Sequence, residues 1–314
     1  MVKFLARRLL STIPILLVVL TVVFLIIHLT PGSPAAVILG DNATDDQISN
    51  LNHQLGLDAP LYQQYFLWIA DVFRGNLGAS YFLGQSVTSA IISHIGPTFA
   101  IAMLAEIIAV TIAIPLGIYA ASRRGTVSDV SIMGVSLLGM SIPSFLLGLF
   151  LALIFGVNLG WLPVAGYEPL SSGVWNWFQY LILASVALGS MQAALFVRMT
   201  RSSMLDVLRK DYIRTVRAKG VKERGVIYLH ALRNASLPIL TVVGQSVGGL
   251  ITGAVVTETI FNIPGLGQLI VDSIQRRDLP VIQGTVLFIT FAFIFVNLIV
   301  DVLYGVLDPR VRLK

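Results

Sequence analysis

The chain has 314 residues, of which 56% are hydrophobic and only 12% are charged. A soluble domain carries about 25% charged residues, so this composition excludes a water-soluble globular protein and predicts an integral membrane protein. The absence of cysteine excludes disulfides, thiolate metal sites and a cysteine nucleophile. A net charge of +5 would suggest nucleic acid as the partner of a soluble protein, but here the distribution of charge is more informative and no nucleic acid is expected.

Six apolar runs are long enough to cross a hydrocarbon core as helices, which takes about 20 residues. The first run has about 21 residues, longer than the roughly 7–15 of a cleavable signal peptide, and predicts a retained anchor. The fold class is therefore an all-α integral membrane protein with six transmembrane helices and both termini on one side. The runs lie near 9–29, 98–121, 132–159, 178–197, 237–256 and 284–307. They divide the chain into a tip and first helix (1–30), an outer loop (31–97), a core (98–307) with a polar loop at 201–236, and a tail (308–314).

Basic residues are distributed unequally between the predicted loops. Eighteen of them fall at the termini and in the two even-numbered loops, whereas the other loops contain only Arg74, Arg276 and Arg277. The positive-inside rule places the more basic side in the cytoplasm. We therefore expect cytoplasmic termini and a large first extracytoplasmic loop.

The outer loop at 31–97 contains two predicted short amphipathic helices. Thr44 is placed to cap a helix that Gly56 ends, and Pro60 begins another that is bounded by Gly75. Aromatic and aliphatic side chains on the second helix are typical of a helix lying at the lipid headgroups. The stripe consists of Leu61, Tyr65, Trp68 and Val72, and Tyr62, Phe66 and Phe73 lie near it on the same helix.

The longest basic interruption between apolar runs is the segment at 201–238. Four apolar residues in it recur at helical spacing and predict an amphipathic helix: Leu205, Leu208, Tyr212 and Val216. Gly220 is expected to end this helix in a left-handed conformation. A second short helix is predicted from about Glu223 to Arg233, and Ser236 with Pro238 predicts the start of the next span. A topology signal alone needs only the charges, not a helix, a glycine corner and a second helix.

Several runs of this sequence occur together in one known family. They are YIRTVRAKG at 212–220, HALRN at 230–234 with LP at 237–238, LTPGSP at 29–34, LGLDAPL at 55–61, FNIPGLG at 261–267, and VDVLY at 300–304 with DPR at 308–310. Over the whole chain they resemble the B-type permease subunits of ABC importers for dipeptides, oligopeptides and nickel. The general permease loop begins Glu-Ala-Ala, whereas this chain has RTV at 214–216, a variant that resembles the peptide subgroup.

The resemblance implies a multi-pass transport subunit of the bacterial or archaeal plasma (inner) membrane. In that family the basic loop carries a coupling helix that docks on a cytosolic ATPase. The resemblance assigns this role to Arg217, Ala218, Lys219, Gly220, Val221, Lys222, Glu223, Arg224 and Gly225. It also implies, besides membrane lipid, a homologous second permease forming a heterodimer, two cytosolic ATPase subunits or domains, and an extracytoplasmic solute-binding protein that lands partly on loop 31–97.

ATP must be bound elsewhere, because the chain has no phosphate-binding G-x-x-x-x-G-K-[ST] loop and no Gly-Lys pair. The partner ATPases would bind ATP and Mg. We expect this chain to have no cofactor and no catalytic residues. We also expect no metal site, since its four histidines are dispersed.

The fifth span combines small and polar residues. Its glycines form small-x-x-x-small pairs that favour close helix packing: Gly244, Gly248, Gly249 and Gly253. These residues by themselves favour helix packing; combined with the family resemblance, they predict packing on the glycine side and a translocation path lined by Gln245, Ser246 and Thr252. Glu258, at the outer end of this span, is predicted either to meet a substrate amine or to face the vestibule.

The third span contains a predicted kink, because Pro143 removes a backbone donor. Polar or flexible side chains flank this proline. Met140, Ser141 and Ser144 are therefore further candidates for the translocation path.

Two other functions are considered. The run at 244–248 satisfies G-x-S-x-G, as in a serine hydrolase with Ser246 as nucleophile, but that motif needs a strand-to-helix turn and a histidine, and only His28 is a candidate. Glu106, inside the second span, suggests a proton-coupled secondary carrier, although no internal repeat is evident. Asp301, near the cytoplasmic end of the last span, is expected to pair with an arginine.

Together with the family resemblance, the sequence predicts a permease subunit that forms half of a translocation pathway and works by alternating access. The expected cargo is a small peptide, either a dipeptide or an oligopeptide. Glutathione, nickel chelates and oligosaccharides remain open, since the delivering protein would do most of the selecting.

Overall fold

The computed structural model describes residues 2–29, 34–40, 43–54 and 56–307. These residues form helices and loops without any strand, and one isolated bridge pairs Ala79 with Ser86. Four helices are long and apolar enough to cross a membrane, or five spans if one bent pair is counted as a single span. The predicted all-α membrane protein is confirmed, while the count of six spans and the position of the termini stay predictions.

Thirteen α-helices are described, and short π or 3₁₀ segments extend or link some of them. They are α1 (Val2–Leu29), α2 (Pro34–Leu39), α3 (Asp45–Gln54), α4 (Leu61–Phe73), α5 (Val87–Ser122), α6 (Val127–Ser141), α7 (Ser144–Leu151, continued by a π-helix at Ala152–Asn158), a 3₁₀ turn (Leu170–Ser172), α8 (Val174–Leu208), α9 (Asp211–Ala218), α10 (Glu223–Gly225), a π-helix (Val226–Ala231), α11 (Leu232–Phe261), α12 (Leu266–Arg276) and α13 (Leu279–Leu307).

Two compact units make up the chain. One comprises Pro97–Pro264 with Phe293–Lys314, and the other comprises Val2–Gly96 with Gly265–Ala292. The core of the first unit is built where α5, α8 and α11 pack together around Ile101, Leu181 and Phe261. In the second unit, one cluster joins Val87, Leu266 and Val281, and another joins Leu20, Val23 and Leu287.

Glycines allow the helices of the first unit to approach closely. A Cβ on Gly189 of α8 would lie 2.6 Å from the carbonyl oxygen of Ala105 on α5, so only glycine fits there. The predicted glycine packing of the fifth span is confirmed at three positions, where a Cβ would meet Val300 (from Gly244), Phe293 (from Gly248) or Leu188 (from Gly253). Gly249 is different, because a Cβ there would meet nothing within 4 Å.

The predicted kink in the third span is confirmed, since α6 and α7 are bent by 100°. Ile142, which precedes Pro143, is extended with φ −87° and ψ 121°. Proline disfavours the helical conformation in the residue before it and cannot donate a backbone hydrogen bond, so the helix ends at Ser141.

The prediction of one amphipathic helix through Leu205 and Val216 is wrong. Helix α8 ends at Leu208, Lys210 is extended with φ −72° and ψ 148°, and α9 starts at Asp211. The break turns Ile213, which is fully buried, toward Val226 in a shared apolar cluster. Tertiary packing therefore prevails over the regular spacing of the apolar residues.

The predicted start of the fifth span at Ser236 and Pro238 is also wrong. The helical segment runs without interruption from Glu223 to Phe261 and includes Pro238. The Ser236 hydroxyl donates to the Arg233 carbonyl at 2.9 Å, so this side chain does not cap a following helix. Proline removes one amide donor, and burial of Ala231, Ala235 and Ile239 on one side carries the helix through this position.

The outer-loop helices lie in the second unit. The predicted cap of α3 is confirmed, since Gln47 N donates to Thr44 Oγ1 (3.4 Å) and Thr44 N donates to Gln47 Oε1 (3.0 Å). Gly56 and Gly75 have positive φ beyond α3 and α4, as their predicted roles require.

Most of the predicted stripe on α4 packs on α1. The Tyr65 ring lies 5.1 Å from the Phe24 ring and the Trp68 ring 5.8 Å from it. Leu61 of this stripe is exposed, as are four large apolar side chains of α4 outside the stripe: Tyr62, Phe66, Leu67 and Phe73. The exposed surface of α4 therefore includes the nearby aromatic residues Tyr62, Phe66 and Phe73, and the position of this helix at the lipid headgroups stays a prediction.

Candidate functional site

The sequence-predicted coupling residues form an exposed turn that we call the coupling corner, residues 217–225. Helix α9 ends at Ala218, and Gly220 has φ 79°, which confirms its predicted left-handed conformation. Gly220 N donates to the Arg217 carbonyl at 2.9 Å. The chain then becomes extended at Lys222 and resumes a helix at Glu223.

An ion pair closes the coupling corner. Arg217 Nη2 lies 2.7 Å from Glu223 Oε1, and Arg217 Nε lies 3.1 Å from Glu223 Oε2. These hydrogen bonds raise the pKa of Arg217 above its ordinary value. Both side chains are largely exposed, so the pair contributes at most about 1 kcal/mol to stability, but its two-point geometry fixes α9 against α10.

The surface of the coupling corner is basic and is bordered by apolar residues. Every residue from 217 to 224 is exposed, and only Gly225 is half-buried. Tyr228 and Leu229 follow on the π-helix with 57% and 66% exposure. Sequence reasoning missed these two residues, because it treated 223–233 as an ordinary helix. Exposed charge beside exposed aromatic and aliphatic surface is suited to insertion into a groove of another protein.

The coupling corner is fixed to the helix that follows it. Asn234 Nδ2 donates to the Tyr212 hydroxyl at 2.9 Å and to the His230 carbonyl at 3.1 Å. Ile213 and Val226 are fully buried in the same cluster as Ala235. Helix α9, the corner and the beginning of α11 are therefore packed as one piece.

Helix α11 presents one exposed stripe, which we call the α11 face. It consists of Gln245, Gly249, Thr252, Val256 and Thr259. Their spacings of four and three place these residues on a single side of the helix. Two of the predicted path residues, Gln245 and Thr252, lie on this face.

Ser246 and Glu258, also predicted to line the path, lie in the interior of the first unit. Ser246 Oγ lies 2.9 Å from Glu106 Oε1, and both residues are 6% exposed. Thr98 donates to the fully buried Glu258 carboxylate at 2.6 Å. Burial inside the chain removes both residues from its exposed surface. The sequence alone does not distinguish the exposed polar residues of α11 from the buried ones, because that difference depends on which helices pack on α11.

The third-span candidates lie at the break between α6 and α7. Ser141 is exposed, and Met140 and Ser144 are half-buried. Arg198 of α8, which is exposed, reaches this place with its Nη1 3.4 Å from Met140 Sδ. A cation inside a long apolar helix is a sequence signal for a water-facing or partner-facing position, and sequence reasoning missed it.

The remaining candidates have simpler outcomes. The side chains of Asp301 and His28 lie outside the described part of the chain. Among the residues that the structure describes, no group of three or more His, Cys, Asp or Glu could hold a metal ion. The G-x-S-x-G run lies within α11, where the Ser246 hydroxyl also contacts the Val243 carbonyl at 2.7 Å. This placement is unlike the strand-to-helix turn that a hydrolase needs.

Long apolar helices, an exposed basic corner and a polar stripe on one helix define a multi-pass membrane protein with surfaces for partner proteins. Two family models match the sequence and together span nearly all of it. The description "Binding-protein-dependent transport system inner membrane component" matches residues 113–313, and its N-terminal companion matches residues 1–102. The chain belongs to this family of ABC transporter permease subunits, which are located in the plasma membrane and are not themselves enzymes.

Full-length relatives have closely related names. The chain is 43% identical to the probable peptide ABC transporter permease protein y4tP of Sinorhizobium fredii, covering 98% of this chain and 99% of that one. It is 42% identical to the di/tripeptide transport system permease protein DppB of Pseudomonas aeruginosa, with 99% of each chain covered. It is also 42% identical to the glutathione transport system permease protein GsiC of Shigella flexneri over the full length of both.

Proposed function

We propose that this chain is the permease subunit of an ATP-driven ABC importer for small peptides. Three relatives named for peptide, di/tripeptide and glutathione transport support peptide-like cargo. Dipeptides, oligopeptides and glutathione share peptide bonds and a terminal carboxylate. The structural observation that carries the proposal is the continuous helical segment from Glu223 to Phe261, which joins the coupling corner to the α11 face.

This continuity provides a mechanism for coupling. The helical segment of 39 residues begins at Glu223 in the coupling corner and includes the α11 face between Gln245 and Thr259. Because this segment is helical throughout, with a π-helical part at Val226–Ala231, a displacement of residues 217–225 is transmitted to α11 without an intervening loop. Closure of a partner ATPase at the corner would thus change the exposure of the path and produce alternating access.

The proposed assembly contains a homologous second permease, two cytosolic ATPase subunits or domains, and a solute-binding protein outside the membrane. ATP and Mg are used by the ATPases, and this chain binds no cofactor. The coupling corner lies in the cytoplasm in this arrangement, as its charge favours. The second permease supplies the other half of the path opposite the α11 face.

We expect Thr252→Cys to react with a water-soluble thiol reagent in the assembled transporter, at a rate that changes when ATP is added. Thr252 lies on the exposed α11 face, and the chain has no cysteine of its own to interfere. Thr257→Cys is a matched control on the same helix, since Thr257 is 2% exposed and should stay unreactive. A Thr252→Cys protein that is unlabelled in every nucleotide state would exclude the α11 face from the path.

A proton-coupled carrier is the alternative that Glu106 favours, because its carboxylate is buried in a predicted span. We expect Glu106→Gln to retain ATP-driven peptide uptake within about twofold, because glutamine can still accept the Ser246 hydrogen bond. Uptake into vesicles containing the complete transporter should also resist a proton uncoupler at constant ATP. Glu258→Gln, which also replaces a buried carboxylate by an amide, is the control with which Glu106→Gln is compared. Uptake by the chain alone that needs a pH gradient and is lost in Glu106→Gln would establish a carrier instead.

A further inference from the structure

An arginine occupies a backbone conformation that usually requires glycine. Positive φ occurs in the described part of the chain at ten glycines and at only two other residues, Asn262 and Arg277. Asparagine tolerates the left-handed region because its short polar side chain can hydrogen-bond locally. Arginine has no such advantage, and Arg277 nevertheless has φ 57°. Arg277 therefore occupies a position at which glycine would be the more favourable residue for folding.

The backbone around Arg277 does not require that side chain. Arg277 N donates to the Ile274 carbonyl (3.2 Å), and Asp278 N donates to the Ser273 carbonyl (2.8 Å), which together form a Schellman motif at the end of α12. Both bonds use main-chain atoms, so glycine would make them equally well. Arg276 and Arg277 are exposed, and no described acidic side chain lies within 4.0 Å of either guanidinium.

A buried carboxylate fixes the position of this arginine relative to a loop. Asp278, which is 1% exposed, accepts hydrogen bonds from the Ser80 hydroxyl and from Tyr81 N, the latter at 3.3 Å. The Ser80 hydroxyl oxygen in turn accepts from Phe82 N at 3.2 Å and from Leu83 N at 2.8 Å. The chain segment that holds Phe82 and Leu83 is therefore attached to the residue next to Arg277.

The result is a preorganised surface with both charge and apolar area, which we call the Arg277 platform. Phe82 and Leu83 are 42% and 39% exposed although they are large apolar residues. In the sequence, Phe82 and Leu83 follow Ser80, which contacts Asp278, by two and three residues. Arg276 and Arg277 directly precede Asp278 in the same way, so the Ser80–Asp278 hydrogen bond connects the two pairs. Rigid apolar groups bordered by arginine are typical of the energetically important part of a protein interface.

We infer that the Arg277 platform, made of Phe82, Leu83, Arg276 and Arg277, docks the solute-binding protein through carboxylates on that protein. This inference rests on the proposed function and names the contact surface for one of its partners. Three basic residues are predicted on the extracytoplasmic side, and two of them lie on this platform. The family description also specifies transport that depends on a binding protein.

The test is the concentration of solute-binding protein that gives half-maximal stimulation of ATP hydrolysis by the complete transporter in phosphatidylcholine vesicles. Arg277→Gly is expected to raise this concentration about tenfold, as loss of one charged contact at an interface does. The difference should shrink at about 1 M salt, where charges are screened beyond about 3 Å. The melting temperature of Arg277→Gly should be unchanged or higher, because glycine is favoured at this φ.

Arg74→Gly is the matched control, because Arg74 is the remaining basic residue predicted on the same side and its loss removes equal charge. We expect its half-saturating concentration to stay within twofold of the wild-type value. An Arg277→Gly value within twofold of wild type, an equal shift in Arg74→Gly, or a lowered melting temperature in Arg277→Gly would overturn the inference. So would a response to anionic lipid that is lost in Arg277→Gly, which would identify lipid as the partner. Absence of stimulation in the wild-type transporter would instead contradict the proposed function.

Discussion

Gly220→Pro is expected to leave the protein in the membrane and to abolish transport-linked ATP hydrolysis. Proline fixes φ near −65°, whereas Gly220 has φ 79°, and proline cannot make the 2.9 Å hydrogen bond from Gly220 N to the Arg217 carbonyl. The corner would rearrange and separate Arg217 from Glu223. We expect peptide-stimulated hydrolysis by the reconstituted transporter to fall to the unstimulated rate, a drop of at least about tenfold, which is within the usual range of coupling free energies between sites.

Gly220→Asn shows whether position 220 needs a left-handed backbone or the absence of any side chain. Asparagine accepts left-handed φ and keeps the amide donor, so this variant should retain most of the stimulated hydrolysis. Membrane insertion and the amount of assembled complex should be measured for both variants. Normal stimulated hydrolysis in Gly220→Pro, with the same amount of complex, would remove the coupling role from residues 217–225.

Arg201→Met is expected to cause a large loss of stability. Arg201 Nε and Nη2 lie 2.6 Å and 2.7 Å from the two carboxylate oxygens of Asp129, whose side chain is 4% exposed. Removing the guanidinium leaves a buried carboxylate whose remaining described donor is the Gly125 amide at 3.0 Å. Breaking a buried ion pair in this way costs about 3 kcal/mol. The measurement is the melting temperature of the purified complex, which should fall by several degrees.

Arg198→Met is the matched control, because Arg198 lies one turn earlier on α8 and is exposed. Its melting temperature should stay close to that of the wild type. The double variant Asp129→Asn with Arg201→Met should recover much of the loss, because a neutral amide can still accept from Gly125 N without leaving a buried charge. A double variant no more stable than Arg201→Met would show that the buried charge is not the cause of the destabilisation.

The features of the candidate site differ in how well the sequence predicts them. The turn at Gly220 and the basic loop were found from local signals, because they depend on neighbouring residues only, whereas the coupling role of residues 217–225 was predicted from the family resemblance. The residues predicted to line the path were only partly separated from packing residues. Ser246 and Thr252 have equal polarity in the sequence, yet Ser246 contacts Glu106 and Thr252 is exposed, because burial depends on which helices pack on α11. Arg277 was overlooked because its surroundings depend on the tertiary contacts of Asp278. Arg198 carried a sequence signal, a cation within a long apolar helix, that was not used.

The sequence by itself determined the membrane class, the family, the α3 cap, the kink at Pro143 and the turn at Gly220. These properties follow from composition, local backbone preference and motifs that nearby residues specify. Only the tertiary structure decided that α8 ends at Leu208, that one helical segment runs from Glu223 through Pro238, and that most of the α4 stripe packs on α1. The physical reason is the burial of apolar side chains against distant parts of the chain. This burial outweighs the local helix preferences, which are about 1 kcal/mol for most residues and about 3 kcal/mol for proline.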